Sequence, residues 1–108
     1  MTNLIQTFAA LGDDTRFAIV ERLLKEGELS AGDLQNGLTI SPPAVSRHLK
    51  VLRNAGLIHQ RVDKQRRLYS ARPEAVQSIG AWSMSYKDFW QKSLDRLEWA
   101  LVQESKKK

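Results

Sequence analysis

Apolar positions over the first half of the chain recur at three- and four-residue steps, the spacing that gathers side chains on one face of an α-helix. Leu4, Ile5, Phe8 and Leu11 predict a short amphipathic helix over residues 3–11, ended by Gly12. Asp13 is placed to cap the next helix by accepting a backbone N–H from its first turn. That helix extends to Lys25, with Phe17, Val20, Leu23 and Leu24 on its apolar face and Gly27 as its stop. Ser30 then caps a brief helix through Asn36 that carries Leu34 inward and closes at Gly37.

A longer helix is predicted over 41–55. Ser41 is a favoured N-cap, Pro42 in the first helical position loses no intrahelical bond, and Gly56 supplies the positive φ that ends the helix. At about 100° per residue, Val45, Leu49 and Leu52 share one face, while Pro43, Ser46, Arg47, Lys50, Arg53 and Asn54 share the other. Past Gly56 the pattern changes. Leu57–Val62 and Arg67–Ala71 read as two strands, with Asp63-Lys64-Gln65-Arg66 as a basic turn between them. Pro73 starts one terminal helix, on which Ile79, Trp82, Tyr86, Phe89, Trp90, Leu94, Leu97 and Leu101 follow at helical steps to Gln103.

The expected fold is therefore mainly α with a β-hairpin wing: five helices, the hairpin lying between the fourth and the fifth. This is the order of a winged helix-turn-helix, in which the second helix of the motif enters the DNA major groove and the hairpin lies along the backbone. A chain of 108 residues suits one domain. We expect it to occupy 1–105, with Lys106–Lys108 as a basic tail. The start of the chain lacks the basic and apolar stretches of a signal peptide and no apolar run reaches membrane length, so a cytoplasmic location is expected.

Charge sharpens the picture. The net charge is +5, but it is not spread evenly. Residues 1–40 carry three basic side chains against six acidic ones. Residues 41–72 carry eight (Arg47, Lys50, Arg53, Arg61, Lys64, Arg66, Arg67 and Arg72) against Asp63 alone. Residues 73–105 return to an acidic balance, three against five. The polar face of helix 41–55 has no acid at all, whereas a merely solvated helix mixes signs. An anionic partner, double-stranded DNA, fits that segregation.

Three segments carry a family resemblance. Leu11-Gly12-Asp13-Asp14-Thr15-Arg16, then Ile40-Ser41-Pro42-Pro43-Ala44-Val45-Ser46-Arg47-His48-Leu49-Lys50-Val51-Leu52, then Ala55-Gly56-Leu57-Ile58 resemble the ArsR family of winged-helix repressors. The likeness covers roughly residues 4–72. It implies a small homodimer that represses transcription and releases DNA on sensing a metal or another stimulus. The family's metal sensors commonly carry Cys-x-Cys in the third helix, where this chain has Leu29-Ser30-Ala31-Gly32-Asp33-Leu34 and no cysteine anywhere. Thiolates bind soft metals, and serine with glycine does not replace them. Residues 73–108 also lack histidine, so a regulator of the non-metal-sensing type, without a metal or other cofactor, is expected. An unknown small-molecule or protein effector remains open. The wing departs too, with Lys64 where relatives often have glycine.

The candidate DNA contacts are Ser41, Pro43, Ser46, Arg47, Lys50, Arg53, Asn54, Arg61, Lys64, Arg66 and Arg67. Arg47 and Lys50 can donate to guanine O6 and N7 or to phosphate. Ser46 and Asn54 reach a base edge or a backbone oxygen, and Arg53 is placed for phosphate. Arg61, Lys64, Arg66 and Arg67 would meet the backbone or the minor groove. His48, near the apolar face, reads as a packed, hydrogen-bonded side chain, and Arg16 as the partner of a nearby acid rather than of DNA. Leu4, Ile5, Phe8, Trp82, Tyr86, Phe89, Trp90, Leu97 and Leu101 offer more apolar surface than a monomer of this size covers, which points to a twofold dimer. An aromatic-lined effector pocket in the same region is the lesser alternative.

Two other classes of protein fit less well. A winged-helix protein–protein module without DNA binding would carry a neutral or acidic recognition helix. An enzyme would need a phosphate loop, a nucleophile set or a carboxylate dyad, and none is evident. We expect no catalytic residues.

Overall fold

The computed structural model describes residues 3–106, which group into two compact units divided between Ser78 and Ile79. In the first unit, α1 (Leu4–Leu11), α2 (Asp14–Glu26), α3 (Ala31–Asn36) and α4 (Pro42–Asn54) precede the hairpin. Each helix begins at a side-chain cap. Asn3 accepts from Ile5 and Gln6 N–H, Asp13 from Arg16 N–H, and Ser41 from Ala44 N–H. Ser30 and Asp33 form a reciprocal capping box. Gly27 and Gly56 have φ of 85° and 77°, a conformation that costs other residues strain.

Strands β2 (Ile58–Asp63) and β3 (Arg66–Ala71) pair antiparallel, with Asp63 opposite Arg66, which leaves Lys64-Gln65 as the turn. Lys64 itself sits at φ 60°, the left-handed conformation that glycine adopts without strain. A third strand, β1 (Leu29–Ser30), pairs with the other edge of β3 through Leu29–Tyr69 and Ser30–Leu68. The sequence did not announce it, because two residues carry no readable alternation and gain strand geometry only from a partner 40 residues away.

The core of this unit gathers Ala10, Ile19, Val20, Leu23, Leu34, Val45, Leu49, Leu52, Leu57, Ile58, Tyr69 and Ala75. On α2 the buried face is Ile19, Val20 and Leu23, while Phe17 and Leu24 are half exposed, which corrects the expected apolar face by a rotation toward Ile19. Val62 near the wing tip is also exposed.

The expected single terminal helix is two: α5 (Pro73–Met84), which begins in the first unit, and α6 (Lys87–Lys106). The chain has six helices among the described residues instead of five. The break has a local cause. Ser85 Oγ donates to the Trp82 carbonyl, and Ser83 O accepts both from Tyr86 N–H at 3.2 Å and from the Trp90 indole at 3.0 Å. A carbonyl that an unbroken helix gives to residue 87 is thus engaged by a tightened turn and a side chain. Among the described residues, no helix is long and apolar enough to cross a membrane. Of the basic tail, Lys106 ends α6, and Lys107 and Lys108 lie outside the described residues.

Candidate nucleic-acid interface

Helix α4 is fixed from beneath by Val45, Leu49 and Leu52, all nearly inaccessible to solvent. Fixing that stripe forces Pro43, Ser46, Arg47, Lys50, Arg53 and Asn54 outward, and all six are exposed. The side chains of Arg47, Lys50 and Arg53 have no ion-pair or hydrogen-bond partner among the described residues. Three cations thus stand unneutralised on one helix. Ser41 remains occupied as the N-cap, so its free contribution is the positive end of the helix behind it.

The hairpin brings further cations to the same unit. Lys64, Arg66 and Arg67 are exposed on the turn and the start of β3. Arg67 and Ser46 line one cleft of about 250 Å³ with Pro42, Gln35 and Tyr69, so β3 and the N-terminal half of α4 share an open surface.

Arg61 is differently employed. Its Nε and Nη2 donate to the two carboxylate oxygens of Glu28, each at 2.7 Å. The guanidinium holds the Glu28 carboxyl below its usual range, and the carboxylate in turn raises Arg61. Arg61 therefore pins β2 to the segment before β1 and presents no free charge. Sequence reasoning missed Glu28 because the pair spans 33 residues and neither side chain sits in a local motif. Asn54 continues the row of Arg47 and Lys50 at the C-terminal end of α4, and there it also lines clefts shared with α1, beside Gln6 and Ala55.

Behind α4, Arg16 donates from Nε to the Ala10 carbonyl at 2.7 Å and from Nη1 to His48 Nδ1 at 3.3 Å. A guanidinium only donates, so His48 accepts at Nδ1 and carries its proton on Nε2. The Asp13 carboxylate lies 4.0 Å from Arg16 and 3.9 Å from His48, and is held below its ordinary value chiefly by the Arg16 backbone N–H. Arg16 and His48 are thus structural, joining the end of α1, the start of α2 and the middle of α4.

Of the apolar surface expected at an interface, Ile5, Phe8, Trp82, Tyr86, Phe89, Trp90, Leu97 and Leu101 are all exposed, and Leu4 is half-buried. Within the second unit, Trp82, Ser83, Tyr86, Phe89 and Trp90 surround an aromatic hollow of about 290 Å³. No group of three or more potential metal ligands occurs among the described residues.

Comparison with known proteins bears on the same segments. The family described as bacterial regulatory protein, arsR family, matches residues 13–60. An HTH-type transcriptional regulator of Mycobacterium tuberculosis is 42% identical over 89 residues, spanning 82% of this chain and 79% of that relative. The transcriptional repressor SdpR of Bacillus subtilis is 34% identical over 79 residues, 73% of this chain and 87% of the relative. Among solved structures, an ArsR-like transcriptional regulator from a Rhodococcus species superposes with a TM-score of 0.71 at 26% identity, covering 87% of this chain and 88% of that one.

Proposed function

The chain belongs to the arsR family of bacterial regulatory proteins and is a DNA-binding transcriptional regulator; from that premise we propose that it is a cytoplasmic, homodimeric repressor without catalytic activity, whose α4 reads an imperfect inverted repeat. The observation that carries this reading is the acid-free, unpaired, exposed face of α4. Arg47 and Lys50 lie on that face where a recognition helix meets guanine edges or phosphate, with Ser46 and Pro43 beside them. Arg53, one turn later, serves phosphate. Lys64, Arg66 and Arg67 of the wing add backbone contacts that displace counterions and supply affinity without sequence information.

Dimerisation follows from the apolar faces of α1 and α6. Covering Ile5, Phe8, Phe89, Leu97 and Leu101 with a second copy removes them from water, and a twofold dimer reading an inverted repeat needs its two α4 helices about 34 Å apart, one turn of DNA. The test is selection of bound fragments from the native genome. The expected result is enrichment of one inverted repeat whose half-site centres are about 10 base pairs apart. Retention of fragments with no shared sequence overturns the specific-reader proposal.

A further inference from the structure

Two clefts share Gln6, Asn54 and Ala55 at the C-terminal end of α4. One, of about 340 Å³, is lined by Ala9, Ala10, Val51 and Ala55 together with Gln6, Asn54 and Arg16, whose guanidinium is engaged by the Ala10 carbonyl and His48. The other, about 460 Å³, continues from Gln6, Asn54 and Ala55 to Gly56, Arg72 and Glu74. The first wall is largely apolar and the second polar, and both volumes lie in the range of small-molecule sites.

The charges in the second cleft are unusual. Arg72 and Glu74 both line it, yet neither has an ion-pair partner among the described residues. The side-chain amides of Gln6 and Asn54 are likewise without a hydrogen-bond partner there. One free cation, one free anion and two amides thus converge beside an apolar chamber. A simple carboxylate would satisfy Arg72 but face Glu74, and an amine would do the reverse. A zwitterion with an apolar tail matches all three features.

We propose that this double cleft binds a free amino acid with an aliphatic side chain, its carboxylate on Arg72, its ammonium on Glu74 and its side chain among Ala9, Ala10, Val51 and Ala55. Gln6 and Asn54 supply hydrogen bonds to the same polar groups. The double cleft lies where α1 and the last turn of α4 meet, closed by Arg16, Arg72 and Glu74, so occupancy bears on the packing between the two helices. Its regulatory meaning rests on the repressor reading; its binding chemistry does not. Ile5 and Phe8 do not line it, which leaves the proposed dimer surface separate.

The test uses the DNA-free full chain and L-leucine as probe, followed by calorimetry and by the amide resonances of Ala55 and Gly56. Saturable binding is expected, with isocaproate (no ammonium) and isoamylamine (no carboxylate) each at least about tenfold weaker, since each lacks one charge-assisted contact. Arg72→Gln is expected to weaken leucine and isocaproate by about tenfold and to spare isoamylamine; Glu74→Gln reverses that pattern. Both positions are exposed, and an unchanged melting transition establishes that each variant is folded. No saturable binding of leucine up to about 10 mM, or binding indifferent to both substitutions, overturns the proposal. Neither result touches the DNA reading, which is measured without leucine.

Discussion

Arg16 shows how much one side chain organises. Its guanidinium closes the end of α1 on the Ala10 carbonyl, an acceptor that the helix itself leaves open, and reaches His48 beneath the exposed face of α4. Replacing it with methionine keeps the apolar stem but strands those acceptors. Arg16→Met is expected to lower unfolding stability by about 1–3 kcal/mol, read from the denaturant midpoint, with an unchanged midpoint refuting the bridging role. Asp13 beside it carries a pH dependence of definite sign. Its carboxyl is lowered in the fold by the Arg16 backbone N–H, then by the charge of Arg16. The stability it adds is complete above the ordinary aspartate range and is lost as pH falls through the lowered folded value. Asp13→Asn retains a capping oxygen without the titration, so stability plotted against pH should fall less steeply at the acid end than in the parent chain. An identical acid limb in the two proteins contradicts the assignment.

At the scale of elements, the wing is both a presenter of charge and a piece of the sheet. Arg66 at its turn has no ion pair among the described residues, whereas Arg61 on β2 is neutralised by Glu28. The two should therefore respond oppositely. Arg66→Ala is expected to reduce the log–log salt slope of DNA binding by about one, and Glu28→Gln, which releases Arg61, to steepen it by about one. If Glu28→Gln leaves the slope unchanged, Arg61 is not within reach of the backbone. The elements differ in how far the sequence disclosed them. Helix α4 was legible in full, because its cap, its apolar stripe and Gly56 are local signals that agree. The hairpin was legible to within a residue, since a run of polar residues between alternating strands is also local. By contrast, β1 exists only through its pairing with β3, and the turn between α5 and α6, where the Trp90 indole donates to Ser83 O, has no glycine or proline to mark it in the sequence. The same distinction governs the site: exposure of Arg47 and Lys50 followed from periodicity, while the capture of Arg61 and the placement of Asn54 beside α1 required the folded chain.

For the molecule as a whole, the charge distribution and the apolar surface point to different partners. Cations are concentrated on α4 and the wing, and aromatic and aliphatic side chains stand exposed on α1, α5 and α6. The first arrangement suits a polyanion and the second another copy of the chain. Sedimentation at micromolar concentration should give a dimer. Leu97→Asp, at a position 57% exposed and so outside the folded core, should give a monomer with weakened operator binding. A monomeric parent chain contradicts the dimer. Sequence reading by α4 is tested most directly by comparing the binding of Lys50→Ala with that of the parent chain, on the selected operator and on unrelated DNA of equal length at one salt concentration. The predicted result is a loss of about 1–3 kcal/mol on the operator with little change on unrelated DNA. Equal affinity of the two proteins for the operator would contradict it.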